Sequence, residues 1–213
     1  MQALLTCLAL LTASVTALLT PLPAYELDDT FIYDNGRVEQ LVSMTEDKLT
    51  WSAFEGRQYV RDRNFILPLL QWDTAESKGS RRVSTEASSL WPLQPGKSSS
   101  FRIVSDFTLQ VKEGPSVRRR RVELWSCRVL PSAAITVPAG TFDAIEIRCE
   151  QFSSRSMRLI SEERWYYSQD VGHYVLRSWS DVSTGRRGSY ALVAKLSGRE
   201  ANPRRIRSIL SKL

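Results

Sequence analysis

The stretch FRIVSDFTLQVK, residues 101–112, decides the fold class. Phe101, Ile103, Phe107, Leu109 and Val111 share one face, and Arg102, Asp106, Thr108, Gln110 and Lys112 share the other. A side-chain period of two belongs to extended chain, and one apolar plus one polar face marks a half-buried antiparallel strand. Glu113-Gly114-Pro115-Ser116 then turns the chain, and Val117 to Val129 returns as the partner strand.

The same spacing repeats on both sides. Upstream, Phe31 to Tyr33 and Arg37 to Met44 flank Asp34-Asn35-Gly36, where Asn-Gly suits a turn with positive φ at both positions. Lys48 to Phe54 and Arg57 to Arg63 flank Glu55-Gly56 as a second hairpin. Phe65 to Trp72 is continuously apolar but carries Pro68, which predicts an edge or bulged strand. Residues 73–89 read as a polar excursion with a short strand at Arg82–Ser84, closed by the rigid Leu90–Gly96 turn. Downstream, turns at Val137–Phe142, Asp170–Gly172 and Thr184–Gly188 separate strands through Cys149, Met157–Tyr167, His173–Trp179 and Tyr190–Leu196. About ten regularly spaced strands predict an all-β fold, a curved antiparallel sheet closed as a barrel, half-barrel or sandwich.

The ends differ from this body. Residues 1–24 carry no charged side chain and hold an apolar run, which reads as a secretory signal peptide. Leu22-Pro23-Ala24 is one cleavage site and Val15-Thr16-Ala17 a second; without a basic n-region, retention as a weak anchor is the alternative. Residues 25–196 form a single β domain and 197–213 a basic amphipathic tail. In the tail Ile206, Ile209, Leu210 and Leu213 recur at helical spacing, with Asn202 as N-cap and Pro203 at the first helical position. Export leaves two cysteines, Cys127 and Cys149, both in phase with apolar neighbours, so a disulfide is expected. On the chain-entropy picture it would stabilise by about 3 kcal/mol.

The formal charge of +6 favours anionic partners. Arg118-Arg119-Arg120-Arg121 is the sharpest feature, either a basic finger for lipid or glycan anions or a solvated hairpin tip whose charge blocks edge pairing. Arg204, Arg205 and Arg207 line the polar side of the tail, which either caps the open end of the sheet or touches an anionic membrane as a peripheral contact. His173 is the only histidine, and no nucleophile motif, metal-ligand spacing or phosphate-cradling loop accompanies it. Catalytic residues, metal and cofactor are therefore assigned to none, and nucleic acid is not an expected partner because no recognition motif is present.

Four motifs carry a resemblance: Arg61-Asp62-Arg63-Asn64-Phe65, Leu90-Trp91-Pro92-Leu93-Gln94-Pro95-Gly96, Val137-Pro138-Ala139-Gly140-Thr141-Phe142-Asp143-Ala144, and Trp165-Tyr166-Tyr167 followed by Val171-Gly172. In that order, over roughly residues 37–196, they resemble the TapB-like group of bacterial exported proteins. Ser168 stands where that group has proline. The resemblance implies a periplasmic location and a curved antiparallel sheet, and it transfers no catalytic residue.

The expected function is a non-catalytic periplasmic β-scaffold that binds an amphiphilic envelope ligand or an assembly partner, a lipid, glycan or envelope protein. Phe101, Ile103, Phe107, Leu109, Trp165 and Trp179 are the candidate lining, and equally good plain core. The alternatives are an envelope hydrolase using carboxylates or His173, and a structural accessory subunit docking through the basic hairpin.

Overall fold

The computed structural model describes residues 19–46, 48–110 and 114–213. Residues 1–18 of the expected signal segment, including Cys7, and residues 111–113 at the head of the basic hairpin lie outside the described residues. The strands are β1 (Thr30–Tyr33), β2 (Val38–Met44), β3 (Leu49–Ser52), β4 (Gln58–Arg61), β5 (Gln71–Asp73), β6 (Ser77–Val83), β7 (Ser98–Leu109), β8 (Val117–Val137), β9 (Gly140–Ser153), β10 (Leu159–Ser168), β11 (His173–Asp181) and β12 (Arg187–Leu196), followed by helix α1 (Pro203–Leu210). Among the described residues these twelve strands close into one antiparallel barrel, each paired with its sequence neighbours and β1 with β12. Closure removes the exposed edges that an open sheet would leave for aggregation.

The turns follow from their residues. Gly36 sits at φ +79°, with its N–H on the Tyr33 carbonyl at 3.0 Å. Asn35 keeps a negative φ, so this hairpin uses one left-handed residue rather than the expected two. At the β8–β9 hairpin Val137 pairs with Gly140 around Pro138-Ala139, and Gly140 at φ +137° takes a backbone that side chains disfavour. β8 runs on past Val129 because the register shifts before Ser132, a bulge that accommodates Pro131.

Cys127 and Cys149 are direct cross-strand partners, bonded, with Cα atoms 4.1 Å apart. They lie in the barrel interior with Ile103, Val129 and Ile147, as their phase predicted. Phe65–Trp72 departs from expectation. Only Gln71–Asp73 is strand, joined to β4 by the single pair Val60–Gln71. Asn64 turns the chain inward, its side chain accepting from Ile66 N–H and its carbonyl from Leu67 N–H. Phe65, Ile66 and Leu67 are buried as a plug inside the barrel. A run apolar on every side cannot form a wall with one wet face, so it goes where all sides are dry.

The helix packs on the outside of the barrel, not over an open end. Ile32 alternates with inward-facing Phe31 and Tyr33 and so points outward. Ile32, Val38 and Leu196 form a small second core beneath Ile206, with Ile209 and Leu210 at its margin. Asn202 caps the helix, accepting from Arg205 N–H at 3.0 Å. Leu213 stays exposed, as do Arg204, Arg205 and Arg207. No helix among the described residues is long and apolar enough to cross a membrane.

Candidate functional site

Two polar assemblies occupy the barrel interior. The first centres on Glu39 of β2 and His173 of β11. Gly172 at φ +72° lets the chain turn so that His173 enters the core at the first position of its strand. Tyr25 Oη lies 2.7 Å from His173 Nδ1, and His173 Nε2 lies 3.3 Å from Glu39 Oε2. Tyr174 donates to the same oxygen at 2.8 Å, while Arg37 Nε donates to Oε1 at 2.8 Å and Arg61 stands 3.6 Å away. Burial alone would raise the Glu39 carboxyl, but Arg37 and Arg61 beside it hold it well below the usual range. Burial lowers His173, against the pull of Glu39. An ionised Glu39 only accepts, so Nε2 carries the histidine proton and Nδ1 accepts from Tyr25. This Tyr–His–Glu line resembles a catalytic relay, but His173 is 2% exposed and Glu39 1%, with Phe31, Trp51 and Phe65 packed against the imidazole. It acts as a polar brace joining the N-terminal segment, β2 and β11.

The second assembly is a cage of arginines around a cavity of about 240 Å³. Arg37, Arg61, Arg81 and Arg177 line it, together with Trp125, Trp165 and Glu163. Strand register builds it. Arg177 pairs across to Trp165 on one side and Tyr190 on the other, and Arg81 pairs with Ser105. Arg177 donates to Glu163 at 2.8 Å and to Tyr190 Oη at 2.7 Å, with its guanidinium over the Trp165 ring at 4.2 Å. Arg81 donates to Ser105 Oγ and to the Leu69 carbonyl, stacks on Trp72 at 4.3 Å, and makes no ion pair among the described residues. Its guanidinium is accordingly lowered by burial, whereas Arg177, which has Glu163, is raised. Buried donors remain unpartnered here: Arg61 Nε, Arg177 Nε, and Nε1 of both Trp125 and Trp165.

Outside the cage lies an open groove of about 890 Å³ over β4–β8. Tyr59, Trp72 and Phe107 contribute its apolar surface, and Arg118, Arg119 and Arg120 its basic edge. A third cavity of about 630 Å³ lies between them, sharing Tyr59 and Trp72 with the groove and Arg37 and Leu69 with the cage. Gly79 shapes the groove wall: a Cβ there would come 2.5 Å from both the Trp72 ring and Phe107 Cβ, so only glycine lets Trp72 lie flat.

The sequence candidates distribute as follows. Trp165 lines the cage and Phe107 the groove. Trp179 lines a shallow cavity elsewhere, beside Gly188. Phe101 and Ile103 are closed core, and Leu109 is exposed at the end of β7. Arg118, Arg119, Arg120 and Arg121 are all exposed, although two of them are in the inward phase, because the hairpin projects past the closed part of the barrel. Arg120 lies 3.8 Å from Asp106 and Arg121 3.2 Å from Glu123, while Arg118 and Arg119 have no ion pair among the described residues. Sequence reasoning passed over Arg61, Arg81, Arg177 and Trp125. For the arginines the signal was available as charge in the apolar phase: Arg61 alternates with Tyr59, and Arg177 lies two residues beyond Val175.

No protein-family model matches the chain, and neither does any curated protein. Among solved structures, the crystal structure of the hypothetical lipoprotein YmcC from Escherichia coli K12 overlays with a TM-score of 0.52 at 8% identity, across 80% of this chain and 84% of that one. The barrel is YmcC-like in fold. A putative exported protein with a YmcC-like fold from Bacteroides fragilis overlays at a TM-score of 0.36 and 11% identity, covering 85% of this chain and 100% of its own. A putative lipoprotein from Parabacteroides distasonis gives 0.35 and 13%, covering 84% and 99%. The YmcC overlay shows the architecture.

Proposed function

We propose that the chain is an exported, non-catalytic β-barrel of the bacterial periplasm that binds an acidic amphiphile of the envelope in the groove over β4–β8. The observation that carries this reading is the groove itself, with an aromatic floor of Tyr59, Trp72 and Phe107 beside Arg118 and Arg119. Its volume of about 890 Å³ falls in the range of small-molecule sites, and the apolar floor with basic edge suits a chain with an acidic head. The export address is supported by the buried Cys127–Cys149 bridge, which persists in oxidising compartments, and agrees with the TapB-like sequence resemblance and the lipoprotein description of YmcC. Burial of His173 and Glu39 weighs against a hydrolase that uses the histidine as base.

The test is recovery of ligand. Protein purified from an envelope fraction without detergent exchange should release an acidic amphiphile on organic extraction, detected by mass spectrometry. Arg118→Glu with Arg119→Glu should abolish recovery while leaving the thermal midpoint nearly unchanged, because both side chains are exposed. A wild-type protein that returns no ligand, and takes up no anionic short-chain lipid when offered it, would overturn the reading.

A further inference from the structure

We propose that the cavity between Arg61, Arg81, Arg177, Trp125 and Trp165 is a binding site for one phosphate-class oxyanion, distinct from the exposed groove. Four arginines face three buried or half-buried carboxylates, Glu39, Glu123 and Glu163, an excess of one positive charge (4 − 3). Uncompensated cations are costly to hold away from water, and an anion is the usual remedy.

Trp125 is 4% exposed and Trp165 1%, both line the cavity, and the indole N–H of each is buried without a partner. Arg61 Nε and Arg177 Nε are in the same condition. Indole and guanidinium nitrogens only donate. A cavity bordered by orphan donors with no orphan acceptor is matched by a ligand that only accepts. Orphan buried donors are rare in folded proteins, and four of those among the described residues belong to side chains that line this one cavity.

Geometry chooses among oxyanions. The groups come from β4, β6, β8, β10 and β11, strands spread around the barrel wall rather than along one side. Donors arriving from several directions suit the tetrahedral oxygens of phosphate better than the single plane of a carboxylate. Arg81 is the principal contact. It lacks a carboxylate, and its planar fork is already oriented by Ser105 Oγ and the Leu69 carbonyl. Arg37 and Leu69 line both this cavity and the larger one beside it, so the anion is either free phosphate or the head of a lipid lying in that neighbouring space. The lipid arm rests on the proposed function, and the free-anion arm does not.

The experiment is isothermal titration of the full chain with inorganic phosphate and, separately, with dihexanoyl phosphatidic acid below its micellar concentration. Wild type should bind at least one probe and gain thermal stability with it. Equal affinity for both identifies a free-oxyanion site, and much tighter binding of the lipid identifies a head-group site. Arg81→Gln should weaken binding at least tenfold, Arg81→Lys should restore it in part, and Trp125→Phe should weaken it several-fold. Phosphate protection of the wild type against heat needs no variant and holds the test open should Arg81→Gln misfold. Phosphate binding that persists where the wild type yields no amphiphile on extraction separates failure of the groove reading from failure of this one. No binding of either probe, or affinity unchanged in Arg81→Gln, would overturn the proposal.

Discussion

Replacing Glu39 by glutamine removes the carboxylate on which the inner brace converges. Arg61 is 6% exposed and its nearest countercharge is Glu39 at 3.6 Å. Arg37 pairs with the same oxygen but reaches solvent. Removing one partner of a buried pair costs about 3–5 kcal/mol, because the remaining charge is left uncompensated. His173 and Tyr174 also lose a charged acceptor. In a chain of this size 1 kcal/mol moves the thermal midpoint by roughly 2–4 °C, so Glu39→Gln should lower it by about 6–20 °C. The assay is unfolding followed by near-UV circular dichroism, which reports the packing of Tyr174, Trp51 and their neighbours, with urea midpoints as a check. A double variant, Glu39→Leu with Arg61→Met, should recover part of the loss, since an apolar pair replaces a buried ionic one at little cost. A loss under about 1 kcal/mol in Glu39→Gln, or a double variant worse than the single, would refute the assignment of Glu39 as a buried counter-ion.

Three further outcomes follow from other parts of the molecule. His173 is lowered by burial in the folded state, so between its folded value and the unfolded value near 6.5 the unfolded chain holds more protons; stability should fall as pH drops below about 6.5, at up to about 1.4 kcal/mol per pH unit, and His173→Gln should flatten that slope in urea titrations. Replacing both Cys127 and Cys149 by alanine should cost about 3 kcal/mol in denaturant unfolding of the oxidised protein, and added reductant should then make no further difference to the variant. Thr20 is buried and exchanges two backbone hydrogen bonds with Leu93, at 3.1 and 2.7 Å, so a chain starting at Tyr25 should melt several degrees below one starting at Leu18. Equal midpoints would show that residues 19–24 contribute nothing to stability.

What could be read in advance was what neighbours in the chain decide. FRIVSDFTLQVK declares one wet and one dry face through side-chain alternation, a property of extended backbone that needs no knowledge of the partner strand. Gly36, Gly140 and Gly172 mark their turns because the required φ is a local demand. Asn202-Pro203 opens its helix for the same reason, and the phase of Cys127 and Cys149 puts both on inner faces before any register is known. The rest depends on which strands become neighbours. Closure through β1 and β12 joins segments about 160 residues apart and turned an open-ended sheet into a barrel. Only that closure makes Phe65–Leu67 a plug rather than a wall. Only the registers of β10, β11 and β12 set Arg177 between Trp165 and Tyr190, and only the shared lumen gathers it with Arg61 and Arg81. A strand's period says which side chains share a face; whether that face looks onto a dry core or a cluster of charge is settled by the side chains that other strands point at it.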